Sequence, residues 1–389
     1  MDKAGLELLG TFAGKLNQAS PLAPAAPPTD APKEDTLRKL AEAGFLDASG
    51  DPTESTRELI RILAEPEAFT GALYIDDGEY SIDIAVYCHG GDKASVIGTE
   101  DGEFIIIKGS EPVDMTIELL RQYFGNSVFA CFDIDERLEP IQLAALNAML
   151  DLQRVANLKA ILKGEYIAIP AAAAPKNLSD WINGTPEKHP SITAIFKQLM
   201  NFTPEVEEEE LRKAMLSLEE MKLAVGIDNT FVLSEKTVPV AKAFTSFPAI
   251  LSIGSGFTDD NGEIARLHID FVRNGGKIIL WEPAGETIRV ASISPLATVE
   301  LASSLLSDPL AIKRLSAQTA DSEPPKRREC PKCGSDIAET AKFCPECGAK
   351  VEPREQPTPS PTTNACPRCG SAIKNQTDKF CRSCGAGLP

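Results

Sequence analysis

Residues 81–91 read SIDIAVYCHGG and residues 266–276 read RLHIDFVRNGG. In the first, Ile82, Ile84 and Val86 alternate with Asp83 and Ala85; in the second, Leu267, Ile269 and Phe271 alternate with His268 and Asp270. A period of two is that of a strand with one buried face, and the closing Gly-Gly, with Asn274-Gly275 the stronger case, is a hairpin turn. Each stretch continues through a strand (SVIG, KIILW), a glycine-containing turn (TEDG, EPAG), another strand (EFIIIK, ETIRVA) and a helix opened by proline (PVDMTIELL, PLATVELAS). Upstream, EDTLRKL at 34–40 echoes EEELRKA at 208–214. The pattern predicts an internal duplication of the form α-α-β-β-β-β-α, with repeats at 35–125 and 204–315. The fold class expected is α+β, built from helix-backed antiparallel sheet units.

Between the repeats, 126–203 reads as a mostly helical connector, with apolar periodicity in LEPIQLAALNAMLDLQRVANLKAILKG (138–164) and SITAIFKQLM (191–200). A further helix over 206–221 takes Thr203 as N-cap and Pro204 in its first turn, with glutamates at the positive end of the dipole. Helix, helix and the following strand NTFVLSE fit a winged-helix unit. Its recognition helix would offer Glu207 to Glu210 to DNA, which argues for packing against protein instead.

At the N-terminus, Leu6, Leu9, Phe12, Ala13 and Leu16 recur at helical spacing, so 1–18 is expected as an amphipathic helix and 19–34 as a Pro/Ala linker. The helix could pack on its own body, dock a partner, or meet a second copy.

The C-terminal region carries CPKCGSDIAETAKFCPECG at 330–348 and CPRCGSAIKNQTDKFCRSCG at 366–385. Cys-x-x-Cys lets one tight turn offer two sulfurs to one metal, and two such turns complete a tetrahedron. The quartets are Cys330, Cys333, Cys344, Cys347 and Cys366, Cys369, Cys381, Cys384. Four thiolates favour zinc, with iron as rival, and leave no open position for catalysis. Modules of roughly 20 residues cannot fold on apolar burial alone, so metal binding, worth about 10–16 kcal/mol in zinc peptides, supplies the fold. Phe343 and Phe380 are the sizeable apolar plugs. Linkers are expected at 316–329 and 351–365, and ribbons at 330–350 and 366–387, with two Zn²⁺ per chain. A disulfide framework fits poorly, because doubled Cys-x-x-Cys in a chain without a secretory signal reads as metal ligation. This region resembles the double zinc ribbon (DZANK-type) family, whose ribbons occur fused to many unrelated domains.

Composition narrows the function classes. With 43% hydrophobic and 25% charged residues in a chain of 389, the sequence is that of a soluble globular protein. Residues 1–320 carry a formal net charge of −20 and the remainder +2, which becomes −2 with eight thiolates and two Zn²⁺. So acidic a body repels phosphate backbones. No run has the roughly 18 apolar residues of a membrane span, and the N-terminus makes a poor signal peptide. Eight clustered thiols then suit a cytoplasmic location.

A catalytic constellation is not legible. His268 falls on the polar side of its strand and reads as solvated. His89 lies in the Cys88-His89-Gly90-Gly91 turn, where Cys88 continues an apolar alternation and reads as a buried thiol; Cys131 sits in the apolar, strand-like run SVFACFDID. Asp133, Asp135 and Glu136 could hold a divalent cation but suit a solvated strand end better, and GSGFTDDNGE at 254–263 reads as a hairpin turn, not a calcium loop. Phosphate-binding, dinucleotide and nucleophile-elbow motifs are lacking.

LRKLAEAGFLDASGDPTESTRELIRILAEPE at 37–67, followed by strands and a closing helix, resembles the opening of EspG-type chaperones of type VII (ESX) secretion. Leu37, Gly44, Phe45, Leu46, Leu59, Leu63 and Pro66 carry the resemblance, which implies a quasi-two-fold α/β fold and cytosolic binding of secretion substrates. Zinc ribbons lie outside that family's usual pattern. Taken together, the expectation is a cytosolic, non-enzymatic zinc-binding adaptor, chaperone-like toward protein clients. The alternative is a nucleic-acid-associated regulator contacting DNA or RNA through its ribbons.

Overall fold

The glycine pair that ends the first quoted stretch takes positive φ at both positions, 58° at Gly90 and 87° at Gly91, and Gly275 does the same at 59°. Each turn folds its strand back on the next, within one of two four-stranded meanders. The computed structural model describes residues 1–24, 34–76, 79–165, 170–186, 191–203, 205–246, 248–259, 261–314, 327–329 and 336–338. The chain divides into two units, Met1–Ser316 and Ala317–Pro389.

In the first unit, α1 (Lys3–Thr11), α2 (Glu34–Glu42) and α3 (Glu54–Ala64) precede β1 (Ala68–Asp76), β2 (Glu79–His89), β3 (Asp92–Gly98), β4 (Phe104–Lys108) and α4 (Glu111–Phe124). The connector supplies β5 (Asp135–Leu138), α5 (Pro140–Leu162), α6 (Pro175–Gly184) and α7 (Ile192–Leu199). Then come α8 (Glu208–Glu220), the hairpin β6 (Ala224–Ile227) and β7 (Thr230–Leu233), and α9 (Val238–Ala243). The second meander is β8 (Ala249–Thr258), β9 (Ile264–Asn274), β10 (Lys277–Ala284) and β11 (Thr287–Ile293), closed by α10 (Pro295–Ser307).

The two meanders form one sheet, ordered β4-β3-β2-β1-β8-β9-β10-β11-β5, with every neighbouring pair antiparallel. Matching 81–91 with 266–276 equates Ile84 with Ile269, whose partners in the preceding strands are Ala72 and Ile253. Ala72 and Ile253 lie directly opposite each other across the β1–β8 seam. A residue that faces its own counterpart marks a two-fold axis, so the thin sequence repeat is an architectural one.

Both faces of the sheet are covered. On one, Val113, Ile117 and Leu120 of α4 and Val299, Ala302 and Leu306 of α10 close on Ile84, Val86, Leu251, Ile253, Phe271 and Leu280. On the other, α1–α3 cover Val96 and Ile106, while the connector and α8–α9 cover Val272, Ile279, Trp281 and Val290. Burial of both faces explains why IILW, at 278–281, is apolar without interruption. The N-terminal helix packs on its own body, with Leu6, Leu8 and Leu9 buried against Leu22, Leu40 and Ile60. Within the connector, Asp151 of α5 caps α7, accepting from the N–H of Ile192 (3.0 Å) and from the N–H (2.9 Å) and hydroxyl (2.7 Å) of Thr193.

Three local expectations are corrected. The helix expected from Thr203 starts at Glu208 with Glu207 as N-cap. The N–H of Val206 donates to Asn183 and its carbonyl accepts from Ser179 and Asn183, which holds that segment extended against α6. The run around Cys131 is irregular, with Cys131, Val128 and Phe129 exposed; it crosses to β5 on isolated bonds such as Leu296 N–H to Ser127 O. Asp270, placed by alternation on a solvated face, is fully buried.

Candidate functional site

The eight cysteines of the two quartets lie outside the described residues. What is described is the backbone frame of the first: Arg327–Glu329 pairs antiparallel with Asp336–Ala338, in register Arg327↔Ala338 and Glu329↔Asp336. Residues 330–335, with Cys330 and Cys333, fall in the sequence between these two strands. By its chemistry the donor set suits zinc: four thiolates would fill a tetrahedral shell and leave no place for a substrate. Among the described residues, no group of three or more His, Cys, Asp or Glu side chains is arranged to hold a metal.

Several of the remaining sequence candidates have structural partners. Asp135 accepts both arms of Arg289 at 2.8 and 2.9 Å, which lowers its pKa, and Glu136 pairs with Lys236 at 2.7 Å. Neither carboxylate is left to bind a cation. The His89 ring contacts the Glu65 carbonyl at 2.7 Å, and burial pushes the Cys88 thiol up. In the turn after β8, Asp259 accepts from the N–H groups of Asn261 and Glu263, as a hairpin does.

His268 sits in a cluster that alternation did not reveal. Its Nε2 lies 3.0 Å from Asp270 Oδ2 and 3.4 Å from Ser252 Oγ, and Ser252 donates to Asp270 Oδ1 at 2.6 Å. A nucleophilic triad needs the imidazole between hydroxyl and carboxylate; here the hydroxyl binds the carboxylate itself. The cluster joins β8 to β9 in register, since Ser252 is directly opposite Asp270.

A larger feature lies at the far end of the first meander. There α4 and the strands β2, β3 and β4 line a groove of about 670 Å³, to which β2 gives Ser81–Ile84 and β4 gives Ile107, and whose apolar lining also includes Ile97, Pro112, Met115 and Leu119. Met115 is 63% exposed and Leu119 38%, with Ile105 (49%) and Ile107 (36%) on the same side of β4. Asp83, Glu100 and Glu111 also line the groove, and among the described lining residues there is no Lys or Arg.

Residues 330–385 match the double zinc ribbon family. The match spans both quartets and implies zinc binding by this region. Among curated proteins, none matches the sequence. Among solved structures, that of the Mycobacterium tuberculosis type VII secretion system chaperone EspG5 in complex with the PE25–PPE41 dimer aligns with 79% of this chain and 95% of that one, at 12% identity and a TM-score of 0.40. Among the described residues, no helix is long and apolar enough to cross a membrane.

Proposed function

We propose that this chain is a cytosolic, non-enzymatic adaptor for proteins, in which a duplicated α+β body is joined to two zinc ribbons that act as contact points for a protein partner. The observation that carries the reading is the pair of complete thiolate quartets within the matched 330–385 region. Each quartet closes locally over a short loop and leaves its metal no open position, so each ribbon is a recognition element and the chain holds two Zn²⁺. Two ribbons on one Pro-rich connection, EPREQPTPSPTTN, gain avidity through effective concentration, which raises binding by roughly 10²- to 10⁴-fold without any new contact. A protein partner also suits the charge. The body is acidic and the metallated tail has no net positive charge, so attraction to nucleic acid is weak.

The test is quantitative capture from the native cell with the full chain and with Cys330→Ser or Cys366→Ser. Loss of either ribbon is expected to weaken partner capture by far more than twofold, with only a modest effect of salt. Capture of DNA or RNA with a steep salt dependence, and no protein partner, would transfer the function to the nucleic-acid reading.

A further inference from the structure

The two halves of the sheet end differently. In the second half, β11 turns the backbone groups of Ile288, Val290 and Ser292 outward, and residues 134–138 take all three positions. Leu138 and Glu136 stand opposite Ile288 and Val290, and the Ser292 N–H donates to the Ile134 carbonyl at 2.8 Å. The quoted repeat alignment, continued through the turns, equates Val96 with Trp281, whose partners are Ile106 and Val290. The counterparts of Ile288, Val290 and Ser292 are therefore Phe104, Ile106 and Lys108.

Phe104 is satisfied by a stand-in. The Met1 ammonium donates to its carbonyl at 2.8 Å, and its N–H donates to the Met1 carbonyl at 2.6 Å. Met1 then runs into α1 as Leu138 runs towards α5, so it occupies the place of Leu138. Alternation along the strand turns the groups of Ile106 and Lys108 outward as well. Yet β4 is the end strand of the sheet, and among the described residues nothing equivalent to Ile134–Arg137 lies beside it. Unpaired strand edges template further pairing unless they are blunted.

We propose that the β4 edge is a docking site for an extended segment of another protein, apolar at alternate positions and flanked by basic residues, which adds as an outer antiparallel strand. Main-chain bonds to Ile106 and Lys108 would supply the pairing. The side chain opposite Ile107 would enter the groove against Met115 and Leu119, and the one opposite Ile105 would cover that exposed residue on the same side of the strand. The internal precedent is β5, which occupies the corresponding edge of the other half in the antiparallel sense. Charge selects the flanks: Glu100 and Glu111 line the groove with no basic residue to answer them. It also disfavours a second copy, since two such edges would bring like charges together on a chain of net charge −18.

The probe is a fluorescent, end-capped heptapeptide, Lys-Thr-Ile-Thr-Ile-Thr-Lys, titrated into the full zinc-loaded chain beside its Glu-flanked twin. The Lys peptide is expected to bind, and the Glu peptide about tenfold more weakly, as two unfavourable charges require. Met115→Glu, at an exposed helix position, should lower affinity about tenfold with an unchanged melting temperature. Glu111→Lys should shift the preference towards the Glu peptide. Binding should slow amide exchange at Ile106 and Lys108, while Ile105 and Ile107, already paired to β3, stay as they were. Equal affinity for both peptides, or binding without protection of Ile106 and Lys108, would overturn the proposal. So would protection of those amides before peptide is added, whether it vanished on dilution of a dimer or on removal of residues 317–389. None of these results bears on partner capture by the ribbons, so the two readings fail separately.

Discussion

At the scale of single residues, the most informative side chain is Asp270, a fully buried carboxylate on a strand whose alternation placed it in water. Period-two reading assumes one covered face, and β9 is covered on both between Ile269 and Val272 because the connector helices lie over one face and α10 over the other. No local signal in RLHIDFV announces that. The burial has a titratable consequence. The hydrogen bond that the ring of His268 donates to Asp270 favours the protonated imidazole and raises its pKa above the ordinary value. A raised histidine pKa contributes stability that is fully present below the unfolded value of about 6.5 and is lost as pH rises through the folded one. The melting temperature of the full chain should therefore fall over the interval just above pH ~6.5, and His268→Gln should flatten that segment. The ring is 40% exposed, so the effect is modest. Parallel melting curves for the two proteins would refute the linkage.

At the scale of elements, legibility followed locality. The proline-opened helices α4 and α10 and the Gly-Gly turns are readable because their signals lie within a few residues, and so is the double zinc ribbon resemblance of 330–385, whose Cys-x-x-Cys spacing is local. The short helix α6 and the hairpin of β6 and β7 carry only part of their signal locally, and the sequence places the N-cap of α8 too early, because the pinning of Val206 by Asn183 spans 23 residues. The groove beside β4 could not be read at all, since it exists only once α4 has been laid across the sheet. Packing of α1 offers a sharp test. A Cβ at Gly10 would stand 2.5 Å from the carbonyl oxygen of Leu22, and a backbone atom cannot rotate away. Gly10→Ala should cost about 1–3 kcal/mol and loosen α1, measured as a lower melting temperature and faster amide exchange at Phe104, which Met1 holds. An unchanged melt with unchanged exchange would mean that the contact relaxes freely. In the tail, Cys330→Ser should unfold the first ribbon and spare the second, read by cadmium-substituted NMR; joint loss would reveal a shared core.

At the scale of the whole molecule, the body and the tail separate as units at Ser316. The periodic apolar segments all precede that point, so chelating the metal should leave the cooperative melt of the body unchanged, as followed by the fluorescence of Trp181 and Trp281. A large fall in melting temperature on chelation would show that the tail contributes to the body's core. The duplication was visible in the sequence as a thin echo; that its copies would fuse into a single sheet was not, because strand order across β1 and β8 depends on contacts some 180 residues apart. That seam has a consequence for how the chain can be divided. Since Ala72 faces its own counterpart Ile253, the joint between the halves has the self-complementary form of a homodimer contact, held covalently by the connector. Severed at Asn126, the two pieces would still carry matching edges, and co-expressed they should find each other and restore the sheet as an assembly of separate subunits.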